Sequence, residues 1–249
     1  MVVDMIKLYY SWYSICSEKV LLCLFEKGLE FEGTQVDLFK FDQVKPEYLA
    51  INPNGKVPAL DHHGNILVES TLINEFLEDF YPEIKLIPDD PYKKANMRAW
   101  VNLAEANMFP AAGLISQVEF IAEDLKSRLE ESELETLVRK RVNKAGSIRQ
   151  LKAVREGFSK ADIEVAYGKI VDALDRIELA LAKNGPWLVG DYSLADVAVA
   201  PNLYRLDCLK MKALWEKGHP LVTEWYNRLI ARPAFQLTYA YSPPVAPNS

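Results

Sequence analysis

Residues 51–83 read INPNGKVPALDHHGNILVESTLINEFLEDFYPE, and their texture decides the fold. KVPAL (56–60) and NILVE (65–69) are short β-type runs on either side of a turn. From Ser70 onward Leu72, Ile73, Phe76, Leu77 and Phe80 recur at helical spacing, which predicts a helix over 70–81 with that face against a sheet. Upstream, MIKLYY (5–10), EKVLLCLFEKG (18–28) and FEGTQVDL (31–38) read strand, helix, strand. The whole order is therefore βαβ, a loop or short helix, then ββα, as in a small α/β domain. Downstream, PEIKLIPDDPY (82–92) carries three prolines and reads as a linker.

Beyond the linker nearly everything is helical. Ser132-Glu133-Leu134-Glu135 fits a capping box, and Ile163, Ala166, Ile170, Leu174, Ile177 and Leu181 keep one apolar stripe over five turns. Ser193 reads as the N-cap of another helix with Asp196 reaching back to its amide, and Pro201 is expected to kink that helix. The expected organisation is an α/β domain over 1–82, a linker over 83–91 and an all-helical domain over 92–249.

The chain has 249 residues, 49% of them hydrophobic, ample for a proper core. Its first residues, MVVDMIKLYY, have neither a basic leader nor a long apolar stretch, and no apolar run approaches the roughly 18 residues of a membrane span. The expectation is a cytoplasmic protein without a membrane partner. Three cysteines, Cys16, Cys23 and Cys208, are too few for a disulfide framework, and seven helical residues hold the first two about 10 Å apart, beyond disulfide reach. A net charge of −6 argues against nucleic acid as a partner. One local exception is the run from Arg139 to Lys160, eight basic residues against Glu156 alone. It is either a solvated connecting segment or a patch that attracts acidic substrates. No metal site is expected: His62 and His63 are neighbours that would face opposite sides of a strand, and His219 stands alone.

The stretch YYSWYSICSEKV (9–20) crowds tyrosines, serines and a cysteine around the first strand–helix junction. Unpaired backbone N–H groups and the positive end of the helix dipole favour an anion at such a place.

NPNGKVPAL (52–60), LVESTLINEFLEDFYPE (67–83) and GDYSLADVAVAP (190–201) together resemble the glutathione transferase superfamily over nearly the whole chain. Within it INPNGKVPAL (51–60), ESTLINEFLED (69–79), DPYKKANMRAW (90–100) and RQLKAVREGF (149–158) most resemble bacterial transferases that cleave β-aryl ethers with glutathione, the β-etherase-like group. YSICS (13–17) resembles zeta-like isomerases and reductive dehalogenases instead. The resemblance implies a thioredoxin-like N-terminal domain followed by an all-α C-terminal bundle. It implies glutathione as co-substrate, with its thiol at the N-terminus of the first helix, and a homodimer.

It also implies residue roles. Ser14 stands in the register of the hydroxyl that stabilises the thiolate, a role that can coexist with an ordinary N-cap. Tyr10 matches the activating tyrosine of alpha-like members, or is a core tyrosine. Cys16 matches the cysteine that attacks a glutathionyl adduct in the dehalogenases, or is a small buried residue; Ser17 matches an assisting serine, or lies on the helix surface. Val57, before Pro58 in a cis bond, would pair its backbone with the cysteinyl unit, while Glu69 and Ser70 would hold the γ-glutamyl end and Lys56 the glycyl carboxylate. A hydrophobic, aromatic electrophile would bind between the domains, with Met108, Phe109, Phe120, Tyr204 and Trp215 as candidate contacts, or as core. Conjugation, ether cleavage, isomerisation, reductive dehalogenation and glutathione binding without turnover all stay open, since the reactions share one opening thiolate attack.

Overall fold

The computed structural model describes residues 6–142 and 144–241. Strand β1 (Ile6–Tyr10) leads into helix α1 (Ile15–Glu26) and strand β2 (Phe31–Gln35). Two 3-10 turns, Leu38–Lys40 and Asp42–Val44, and a short helix α2 (Pro46–Leu49) precede strands β3 (Ala59–His62) and β4 (Asn65–Val68), and helix α3 (Ser70–Phe80) closes the unit. The sheet order is β2-β1-β3-β4, parallel between β1 and β2 and antiparallel elsewhere, with Leu8 opposite Leu60 and Ala59 opposite Val68. This is a thioredoxin-like sheet, and its βαβ and ββα halves follow the run order of the sequence.

Helix α3 corrects one expectation. Ile73 and Leu77 are fully buried, but Leu72 is 63% exposed and Phe80 50% exposed. The inward stripe runs through Ser70, Ile73, Asn74, Leu77 and Glu78 instead. Glu78 is drawn in because it neutralises buried Lys27 (2.6 Å) and accepts the Leu86 and Ile87 amides (3.0 Å each). Leu86 in turn accepts from the Leu194 amide (2.8 Å), so the proline-rich segment is tied to both halves of the chain.

The helical half opens with α4 (Pro91–Leu103), which runs through a π-helical turn (Ala104–Met108) into α5 (Phe109–Ser116), and through another (Gln117–Ile121) into α6 (Ala122–Arg128). Helices α7 (Glu131–Arg139) and α8 (Lys144–Glu156) form a hairpin; α9 (Lys160–Asn184), α10 (Leu194–Cys208), α11 (Ala213–Glu216), α12 (Pro220–Ile230) and α13 (Pro233–Tyr241) complete the bundle. The predicted stripe of α9 is buried from Ala166 through Leu181. Ser193 and Asp196 form their capping box, and α10 continues through Pro201. The box expected at Ser132 is not made: α7 begins earlier, with Glu130 as N-cap and Glu131 and Glu133 in its first turn. Acids there suit the positive end of the helix dipole.

Helix α1 joins the halves, packing on α3 on one side and on α10 and α13 on the other. Ion pairs tie α1 to the helical half, among them Arg205 to Glu18 (3.2 Å, both buried) and Arg232 to Glu26 (two bonds of 2.6 Å). No helix among the described residues is long and apolar enough to cross a membrane.

Candidate active site

The turn between β1 and α1 is built by its own serines. The Ser14 amide donates to the Ser11 carbonyl (3.1 Å), and Ser14 Oγ accepts from the Ser17 amide (3.2 Å) as N-cap of α1. Ser17 Oγ accepts from the Ser11 amide (3.2 Å) and is wholly buried. The two hydroxyls therefore have different fates. Ser17 satisfies a buried backbone group beneath the turn, whereas Ser14 faces a cavity. As a cap Ser14 spends only a lone pair, so its O–H proton stays available to an anion in front of it. The amides of Ile15 and Cys16, in the first turn, have no intrahelical acceptor.

Arg205, reaching across from α10, fixes this turn. Its guanidinium donates to the Tyr13 carbonyl (3.3 Å) and lies 4.0 Å from the centre of the Tyr13 ring.

A second loop comes from residues 52–58. The Lys56 carbonyl receives both Tyr48 Oη (2.6 Å) and Asn52 Nδ2 (2.7 Å), which sets the backbone just before Val57. Gly55 takes a left-handed φ of 57°, and a Cβ there would lie 3.0 Å from the Gln43 carbonyl. The Val57–Pro58 bond is cis. Glu69, immediately ahead of α3, also has a positive φ (67°). A non-glycine residue held there is strained, a feature that concentrates at functional sites.

These pieces surround one cavity of about 580 Å³. Ser14, Cys16, Lys56, Val57, Pro58, Glu69 and Ser70 all line it, seven of the eight residues singled out in the sequence. Ser17, the eighth, does not, for the reason just given. Tyr10 is buried in the sheet core and stacks near Tyr241 (5.4 Å between ring centres). Of the candidate electrophile contacts Phe109 lines the cavity. Met108 and Trp215 are core, Phe120 packs against Tyr13 and Phe39, and Tyr204 against Tyr239 and Phe235. His62 sits in β3 with Nε2 3.0 Å from Tyr81 Oη, while His63 turns back at φ 53° until the two rings are 4.4 Å apart. They do not point to opposite faces, because the hairpin begins at His63. No cluster of metal-binding side chains occurs among the described residues.

Three lining residues had no clear signal in the sequence. Glu105, in the π-helical turn after α4, pairs with buried Lys19, which also donates to Thr71 Oγ1 (2.9 Å). Gln43 is 1% exposed, with neither amide atom hydrogen-bonded. Arg141 comes from the basic run, whose other described members behave as solvated helix surface: Arg139 bonds Glu135 (2.8 Å) and Arg155 bonds Glu131 (2.7 Å). Burial pushes the Cys16 thiol up to about 11, against the opposing pull of Lys19, so it is protonated at neutral pH.

A thioredoxin-like domain with a capping hydroxyl at its first helix terminus and a cis-proline loop beside it is joined to a helical domain. Two family models agree: glutathione S-transferase N-terminal domain matches residues 13–79 and glutathione S-transferase C-terminal domain matches 148–228. The chain is 33% identical to Protein LigF of Sphingobium sp. (strain NBRC 103272 / SYK-6), over 93% of this chain and 91% of that one. It belongs to the glutathione S-transferase family. The crystal structure of beta-etherase LigF from Sphingobium sp. strain SYK-6 superposes with a TM-score of 0.86 at 32% identity, covering 95% of this chain and 99% of LigF. A probable maleylacetoacetate isomerase of Caenorhabditis elegans is 27% identical over 92% of this chain and 90% of its own. A maleyl pyruvate isomerase described as a bacterial zeta-class transferase superposes with a TM-score of 0.72 at 25% identity, covering 96% and 99%.

Proposed function

We propose that this glutathione transferase uses Ser14 to hold the thiolate of glutathione and directs it at a hydrophobic aromatic electrophile, with aryl-ether cleavage as the favoured reaction. The observation that carries this reading is the cavity itself. It gathers a capping hydroxyl with a spare proton, the Val57 edge, and Glu69 and Ser70 at a helix N-terminus, where a carboxylate is favoured.

Glutathione supplies the nucleophile, and the chain has to stabilise it. A thiol of pKa near 8.5 must be lowered by roughly two units to be ionised at pH 7, about 2.7 kcal/mol. One charge-assisted hydrogen bond contributes about 1.5–3 kcal/mol, and the helix terminus adds to it, so no general base is needed. In ether cleavage a carbon–sulfur bond forms as the carbon–oxygen bond breaks, and the phenoxide leaves. Phe109 supplies an aromatic side chain to the lining of the cavity. The likeness to LigF over nearly the full length supports the ether-cleaving subtype.

Cys16 favours a second reading, a zeta-like isomerase or reductive dehalogenase, because it too lines the cavity. With its thiol near 11, roughly one molecule in ten thousand would carry the thiolate at pH 7, which weighs against Cys16 as an attacking group. The reading extends to a cytoplasmic homodimer. Leu72 and Phe80 on α3 and Tyr92 on α4 are exposed large apolar side chains, of the kind a partner copy would cover. Purified protein incubated with glutathione and a panel of β-aryl ethers, haloarenes and maleyl compounds tests the proposal. Ether cleavage supports it. Turnover of haloarenes or maleyl compounds alone overturns the subtype, and retention on glutathione resin without any turnover reduces the protein to a binding module.

A further inference from the structure

The cavity has a wall that the α/β half does not supply. The α7–α8 hairpin docks on the 3-10 turns through Phe41 and Val44, which share an apolar cluster with Leu134, Val138 and Leu151. That docking lays Val142 over Gly55, its Cγ2 3.7 Å from the position of a Cβ, and brings Arg141 to the cavity beside Gly55 and Lys56.

Two groups at this end lack what their chemistry requires. The Arg141 guanidinium donates to the neutral Gln150 side chain and makes no salt bridge among the described residues. Burial alone acts on it, lowering its pKa, with no acid opposing. The Gln43 amide, on the same cavity, has no hydrogen-bond partner for its nitrogen or its oxygen. A partly buried cation without a counter-ion and a buried amide without partners are both costly, and one carboxylate answers both.

Position along the cavity identifies that carboxylate. Glu69 and Ser70 lie next to the Pro58 end of the loop, through the pairing of Ala59 with Val68. Val57, Lys56 and Gly55 follow in chain order, and Gly55 abuts the Gln43 carbonyl and Val142. An extended tripeptide of roughly 10–11 Å, anchored by its γ-glutamyl end at Ser70 and its cysteinyl backbone at Val57, directs its last residue toward Gln43 and Arg141. We propose that Arg141, carried in by the α7–α8 hairpin, binds the glycyl carboxylate of glutathione together with Gln43 and Lys56. The helical half thereby makes a free C-terminal carboxylate a requirement of the thiol. This rests on glutathione being the ligand of the cavity.

Titration calorimetry with glutathione and its glycyl monoethyl ester, on wild type and Arg141→Gln, tests it. Wild type should bind glutathione about 10- to 100-fold more tightly than the ester, the range of a charge-assisted hydrogen bond. Arg141→Gln should lose most of that preference, weakening glutathione by about 10-fold or more and the ester by less than about threefold. Equal weakening of both ligands overturns the assignment. So does unchanged affinity for both with a raised KM for the electrophile, which would give Arg141 to the second substrate. Arg141→Lys, which keeps the charge, covers the case in which Arg141→Gln does not fold: it should retain a measurable preference for glutathione, and a complete loss overturns the assignment. A wild type that binds neither ligand refutes the glutathione reading itself, a result distinct from each of these.

Discussion

Replacing Ser14 by alanine removes two things at once, and the structure predicts the size of each. The first is the cap: Ser14 Oγ accepts from the Ser17 amide at 3.2 Å, and losing such a cap costs about 1 kcal/mol. In a chain of this size that is roughly 2–4 °C of melting temperature. The second is the O–H facing the cavity. If it donates to the thiolate, its loss removes about 1.5–3 kcal/mol from the ionised form alone, raising the pKa of the bound thiol by about one to two units. Turnover at neutral pH then falls roughly 10- to 100-fold and partly recovers at high pH, where the thiol ionises unaided. Ser14→Asp separates the effects, since aspartate caps as well as serine but its carboxylate has no proton to donate. That variant should keep its melting temperature while the thiol pKa rises at least as far as in Ser14→Ala. The assay is thiolate absorbance of the glutathione complex titrated against pH, with thermal melts of the same samples. A thiol pKa unchanged in Ser14→Ala, with a lower melting temperature, would refute the role: Ser14 would be a cap, and the amides of Ile15 and Cys16 would hold the thiolate.

Two further predictions follow from burial. Because burial raises the Cys16 thiol to about 11, the protonated form persists through neutral pH, so alkylation of Cys16 in the free protein should be very slow at pH 7 and rise about tenfold per pH unit toward 11. Peptide mapping by mass spectrometry reads this directly, and rapid labelling at pH 7 would restore Cys16 as a nucleophile. Asp196 is fully buried and accepts from the Leu188 amide (3.2 Å), the Ser193 amide (3.1 Å) and Trp225 Nε1 (2.8 Å). Asp196→Ala strands all three donors and should cost about 3 kcal/mol or more in chemical denaturation, whereas a loss under about 1 kcal/mol would show that the cavity rehydrates or collapses.

The local order of the chain was legible because it is written in local terms. Helical and strand periodicities set βαβ and ββα, the spacing of Ser193 and Asp196 set a cap that needs only four consecutive residues, and the stripe of α9 set its buried face. The resemblance carried by NPNGKVPAL and VEST pointed to residues of the cavity because loop and helix terminus are each contiguous stretches. What the sequence alone left open were choices between neighbours and between distant partners. Ser14 and Ser17 are equivalent hydroxyls on paper; the unpaired amide of Ser11 takes Ser17 inward and leaves Ser14 at the cavity. Phe109 lines the cavity while its neighbour Met108 is core, a choice between two adjacent apolar residues that the packing of the bundle makes. Leu72 and Phe80 fit the helical period of α3, yet buried Lys27 claims Glu78 and sets the inward face elsewhere. Arg141 is one of eight basic residues in the run from Arg139 to Lys160. Only the docking of its hairpin on Phe41 and Val44, about a hundred residues upstream, separates it from the solvated ones. Periodicity and capping act within a few residues and are set by composition, whereas the membership of a site depends on which surfaces bury one another across the whole chain.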